Sequence, residues 1–109
     1  MSGAAKRPFM IGLLLYPNMT QLDLTGPYEV FCRMPDTDVH LIWRTLDPVT
    51  TFPALTIVPT TTLAECTALD LICVPGGPGQ IALMADETVL RFVREQAAGC
   101  QYVTSVCSG

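Results

Sequence analysis

The sequence predicts an α/β protein built on a parallel sheet, and three observations carry that reading. Residues 11–15 and 69–74 are almost continuously apolar, as strands covered on both faces are. An amphipathic helical pattern follows Asp86, between the second of these runs and a last strand-like stretch at residues 102–106. Strands alternating with helices imply parallel pairing, with ligands expected at the carboxyl ends of the strands.

Composition sets the limits. The 109 residues are 50% apolar and only 15% charged, which suits one packed domain of ordinary size or part of one, and argues against disorder. Ten acidic against six basic residues give a net charge of −4, with no basic cluster beyond Lys6 and Arg7, so a nucleic-acid surface is not expected. The apolar run from Phe9 to Tyr16 is too short to span a bilayer and lacks a cleavage site, so neither a membrane anchor nor a signal peptide is expected. Five cysteines, an odd number without a C-x-x-C pair, fit a reducing cytosol and hence a cytoplasmic protein.

In chain order, residues 1–8 read as a frayed tail and residues 11–15 as the first strand. Pro17 and Asn18 turn the chain. Thr20 and Thr25 are both candidate N-caps; Gly26 and Pro27 after the second place a helix over about residues 27–33, since proline suits a first helical turn. Residues 34–36 stop it. Val39, Leu41 and Trp43 alternate with His40, Ile42 and Arg44 in a second strand, and Asp47 with Pro48 marks a turn. Residues 55–58 form a short strand between prolines, and the threonines at 60–62 form a loop or strand edge leading to one turn near residues 63–66. The run at 69–74 is a buried strand ending in the glycine turn of residues 75–79. Asp86 caps the amphipathic helix, with Val89, Val93 and Ala97 on its inner face, Glu87 and Arg91 as an i,i+4 pair, and Gly99 as its C-cap.

The chemistry concentrates in three places. Cys107 follows the last strand with Ser105 and Gly109 two positions to either side, the small-x-nucleophile-x-small form of a nucleophile elbow. A helix starting there would favour the thiolate, and the amide of Ser108 would face developing negative charge. Cys107 equally fits a small apolar side chain at a strand end. Gly76 and Gly77, also after a strand, would bring bare backbone amides to the same sheet edge, where they can bind a substrate atom or oxyanion; Pro-Gly-Gly is also an ordinary turn. Asp23, between Leu22 and Leu24, would have its pKa raised by burial and by a neighbouring thiolate, and could then exchange a proton near neutral pH. The residues alone favour its other reading, an exposed carboxylate at a helix start. Glu29 reads as surface or as a structural partner. His40 is the only histidine and reads as structural, so no metal site is expected. Cys73, Trp43, Tyr16 and Phe31 read as core.

The segments at residues 11–18 (IGLLLYPN), 21–30 (QLDLTGPYEV), 39–43 (VHLIW), 75–77 (PGG) and 102–109 (YVTSVCSG) together resemble the first half of the isonitrile hydratases, a family of the PfpI/ThiJ superfamily. The resemblance implies a flavodoxin-like fold, a parallel sheet with helices on both faces, incomplete in this chain. Residues 1–109 would be the N-terminal part of a single domain, ending at the elbow. It also implies hydration of isocyanides to N-substituted formamides through a cysteine thioimidate. The family's catalytic cysteine falls on Cys107 and its active-site aspartate on Asp23, where most superfamily relatives carry glutamate. Ser108 stands where threonine is common, keeping the hydroxyl and losing a methyl that limits rotamers. Substrate-binding or oxyanion positions are Gly76, Gly77 and Ser108. A homodimer acting on an isocyanide and water, with no metal or organic cofactor, completes the expectation. The rival is a non-enzymatic ligand- or redox-sensing domain of the same fold, such as the N-terminal part of a transcription regulator.

Overall fold

A computed structural model describes residues 7–106. Five parallel strands form the sheet in the order β5-β2-β1-β6-β7. They are β1 (Phe9–Leu14), β2 (Thr37–Trp43), β5 (Thr61–Thr62), β6 (Leu71–Pro75) and β7 (Tyr102–Val106). The helices are α1 (Gln21–Cys32), α2 (Gln80–Met84) and α3 (Glu87–Gly99). A separate antiparallel ribbon joins β3 (Val49–Thr50) to β4 (Thr56–Ile57).

This is the flavodoxin-like arrangement that the sequence predicts, and register explains its two covered faces. Ile11 pairs with Val39 and Leu71, and Leu13 with Leu41 and Cys73, so these side chains share one face. There Leu24 of α1 joins Leu13, Leu41 and Cys73 in one buried cluster. Leu14 opposite Ile42 and Gly12 opposite Ile72 set the other face, where Phe92 of α3 packs with Ile42, Ile72 and Leu69. Gly12 is closely covered: a Cβ there would meet Leu69 Cδ1 at 2.5 Å and Ile42 Cδ1 at 2.6 Å, so both side chains would have to shift. Helices on opposite faces follow from right-handed crossovers, because β1 to β2 steps one way across the sheet and β6 to β7 the other.

Several expectations need correction. The first helix starts at Gln21, not near Pro27, and Pro27 lies inside it. Its first N–H finds an acceptor from elsewhere in the fold, the Gln21 amide donating to the Phe52 carbonyl (3.0 Å), and Thr20 makes no side-chain cap. Thr25 is therefore no cap; its hydroxyl donates back to the Gln21 carbonyl at 3.0 Å. Arg7 does not belong to a frayed tail, since its guanidinium makes a bidentate pair with Asp70 at 3.0 and 2.7 Å; residues 1–6 lie outside the described residues. The helix α2 was not anticipated, and the strand expected at 55–58 is shorter and pairs with Val49 and Thr50. Asp86 caps α3 as expected, its Oδ1 accepting from the amides of Thr88 (3.1 Å) and Val89 (3.3 Å), but Gly99 is still helical and Cys100 is the C-cap. Among the described residues the ion pairs are Arg7–Asp70, Arg33–Glu29 and Arg44–Asp86, so Glu87 and Arg91 do not close theirs.

Candidate active site at the β1–β6 switch point

The crossovers from β1 and from β6 diverge, leaving a crevice at the carboxyl ends of these two neighbouring strands. Two loops close on each other there. The Thr20 amide donates to the Gly76 carbonyl (2.9 Å), and the Gly79 amide donates to the Asn18 carbonyl (3.0 Å). Gly77 has a φ of 141°, a conformation that side chains disfavour, and any Cβ on it would collide with the backbone of Met19 and Thr20. The glycine turn is thus fixed by contact with the start of α1.

Of the expected site residues, Asp23 and the two glycines come to this one edge. Asp23 sits in the first turn of α1, its amide donating to the Thr20 carbonyl at 3.0 Å. Gly77 lines an open cleft of about 550 Å³ with Thr20, Gln21, Leu22, Phe52, Pro53 and Pro78. Gly76 is buried behind it, its carbonyl taken by Thr20. Cys107 and Ser108 lie outside the described residues. The strand leading to them is described as far as Val106, which pairs with Pro75, the residue before Gly76.

The Asp23 carboxylate turns inward. Its Oδ2 is buried and has no hydrogen-bond partner among the described residues, which is not the exposed helix-start carboxylate that the residues alone favour. Two neighbours register its charge. Burial, then the Asp23 charge, pushes the Tyr16 phenol up to about 12. Burial also raises the pKa of the Cys73 thiol, a hydrogen bond with Thr104 opposes the rise, and the Asp23 charge adds to it.

Tyr16, read from the sequence as core, is in the core and also reaches this edge of the sheet. It is 1% exposed, and its hydroxyl donates to the Pro75 carbonyl. A tyrosine at the last apolar position before a turn is a usable signal, because a buried phenol needs an acceptor. His40 Nδ1 lies 3.0 Å from the Thr61 hydroxyl, while its buried Nε2 has no hydrogen-bond partner among the described residues. Among the described residues no group of three or more His, Cys, Asp or Glu side chains is placed to hold a metal ion, and no helix is long and apolar enough to cross a membrane.

Comparison with known proteins agrees with this geometry. Residues 10–109 match the model of the DJ-1/PfpI family. An isonitrile hydratase from Pseudomonas putida is 57% identical over 99 residues, covering 91% of this chain and 43% of that protein. The crystal structure of a ThiJ/PfpI family protein from Pseudomonas syringae is similar with a TM-score of 0.89 and 38% identity, over 94% of this chain and 43% of that one. DJ-1beta of Drosophila melanogaster shares the fold, with a TM-score of 0.82 and 21% identity over 92% of this chain and 55% of that one. The chain spans less than half the length of the curated relative it matches.

Proposed function

The chain belongs to the DJ-1/PfpI family, and from that premise we propose that it is part of an enzyme that hydrates isocyanides, R–N≡C, to N-substituted formamides. The observation that carries the reading is the 57% identity to an isonitrile hydratase across 91% of the chain. The buried Oδ2 of Asp23, without a hydrogen-bond partner among the described residues, supports it independently.

In the proposed reaction the Cys107 thiolate attacks the terminal isocyanide carbon, forming a C–S bond, while protonated Asp23 delivers its proton to that carbon. The product is a thioimidate, Cys–S–CH=N–R, and a carboxylate at Asp23. The carboxylate takes a proton from water as the water oxygen bonds to the same carbon, then passes the proton to nitrogen. In the tetrahedral adduct the C–S bond breaks as the hydroxyl proton returns to Asp23, giving R–NH–CHO and restoring the thiolate. Gly77 and Ser108 orient the substrate through their backbone amides, with Gly76 supporting the turn. Every proton is carried by Asp23 or water, so the sequence of steps needs no metal and no organic cofactor. Action as a cytoplasmic homodimer is part of the same reading.

The test is formamide production by the full-length protein supplied with a simple alkyl isocyanide. Turnover that disappears in Cys107→Ala supports the reading, and absence of turnover in the wild type rejects it.

A further inference from the structure

We propose that Tyr16 is a positioning residue of this site: its hydroxyl, committed to the Pro75 carbonyl, fixes the end of β6 and the glycine turn while withholding a donor from the buried oxygen of Asp23. The proposal rests on the reading of Asp23 as the proton-exchanging group.

The geometry has three parts. The pairing of β1 with β6 ends at Leu13 and Cys73, two residues short of Pro75, and the phenol donates to the Pro75 carbonyl where that ladder has stopped. Pro75 is also the partner of Val106 and the neighbour of Gly76, so one hydrogen bond holds the junction from which both the glycine turn and the segment to Cys107 depart. Asp23 approaches from α1, and its Oδ2 has no hydrogen-bond partner among the described residues although a phenol that feels its charge is nearby.

A phenol has a single proton to donate. Spent on Pro75, that proton is withheld from the buried oxygen of Asp23; turned to Asp23, it would release the junction. The charged group that acts on Tyr16 is Asp23 of α1, and Cys73 of β6 lies in the same buried cluster as the tyrosine. A neutral Tyr16 is the condition for this arrangement, and burial with a carboxylate alongside keeps it neutral.

The experiment is a double-mutant cycle in the full-length protein with Tyr16→Phe and Asp23→Asn, reading kcat and KM for isocyanide hydration per folded molecule. Tyr16→Phe is expected to lower kcat/KM about ten-fold, the scale of one lost site hydrogen bond, and to change it by less than about two-fold in the Asp23→Asn background. Equal effects in both backgrounds, or wild-type kinetics for Tyr16→Phe beside a slow Asp23→Asn, would overturn the role of Tyr16 and leave that of Asp23 standing. Wild-type kinetics for Asp23→Asn would overturn both. Should the Phe variant fail to fold, 3-fluorotyrosine at position 16 gives a second reading by 19F NMR titration. Its phenol pKa is expected to fall when Asp23 becomes Asn, and an unchanged pKa would overturn the proposal.

Discussion

Gly77 and Thr20 touch so closely that a single added carbon on the glycine would run into the threonine's backbone nitrogen. That contact locks the turn after β6 to the start of α1, and with it the cleft wall to Asp23. Gly77→Ala combines this collision with an unfavourable φ of 141°, so it is expected to destabilise the full-length protein by about 2 kcal/mol or more. Urea unfolding measures this; an unchanged midpoint would mean that the two loops do not constrain one another.

Asp23→Asn keeps the size of the side chain and removes the exchangeable proton. If Asp23 carries protons in both halves of the reaction, isocyanide hydration falls roughly 10²-fold or more. Stability is not expected to fall with it, because the buried Oδ2 has no hydrogen bond among the described residues to lose. Steady-state kinetics and thermal melts on the same preparation separate the two effects. A variant that is less stable but fully active would return Asp23 to a structural role.

Asp86 serves two structural purposes at once, capping α3 through Oδ1 and pairing with Arg44 through Oδ2. Replacement by Ala is expected to cost about 1–2 kcal/mol, most of it from the lost cap, because the ion pair is partly exposed. Asp86→Ser keeps a capping oxygen and discards the charge. It should recover most of the loss, and equal losses in the two variants would assign the effect to Arg44 instead.

Asp70 makes acid stability depend on pH. Its hydrogen bonds with the Arg7 guanidinium, and then with the Met10 amide at 2.7 Å, lower its pKa below the ordinary carboxylate value. A depressed folded-state pKa contributes stability that is present above the unfolded value of about 3.9 and is lost as pH falls through the folded value. Unfolding free energies of wild type and Asp70→Asn should therefore differ most at neutral pH and converge below about pH 4. Parallel curves across that range would mean that the Arg7 clasp contributes nothing that titrates.

Legibility in the sequence followed how local each signal was. The helix after Asp86 was readable because cap and periodicity lie within one short stretch, and the strand at 69–74 because burial leaves an apolar run broken only by Asp70. The start of α1 was not. Thr25, Gly26 and Pro27 form a persuasive local start signal, whereas the real start at Gln21 depends on acceptors at Gly76 and Phe52, far away in the chain. Arg7 was misread for the same reason, its partner Asp70 being 63 residues distant. At the site, Asp23 and the glycine turn could be named from neighbouring residues, but the inward direction of the carboxylate is decided by tertiary packing. The shared hydrogen bond that makes Tyr16 more than core exists only once β1 and β6 lie side by side.

The most direct test of the account is to trap the intermediate. Full-length protein is mixed with an alkyl isocyanide, quenched before turnover is complete, and weighed by intact-protein mass spectrometry with peptide mapping. A mass increase equal to one isocyanide, located on Cys107 and absent from Cys107→Ala, is the predicted result, with slowed loss of the adduct in Asp23→Asn. Formamide produced at the wild-type rate by Cys107→Ala, or an adduct on Cys66 or Cys100 in place of Cys107, would contradict it.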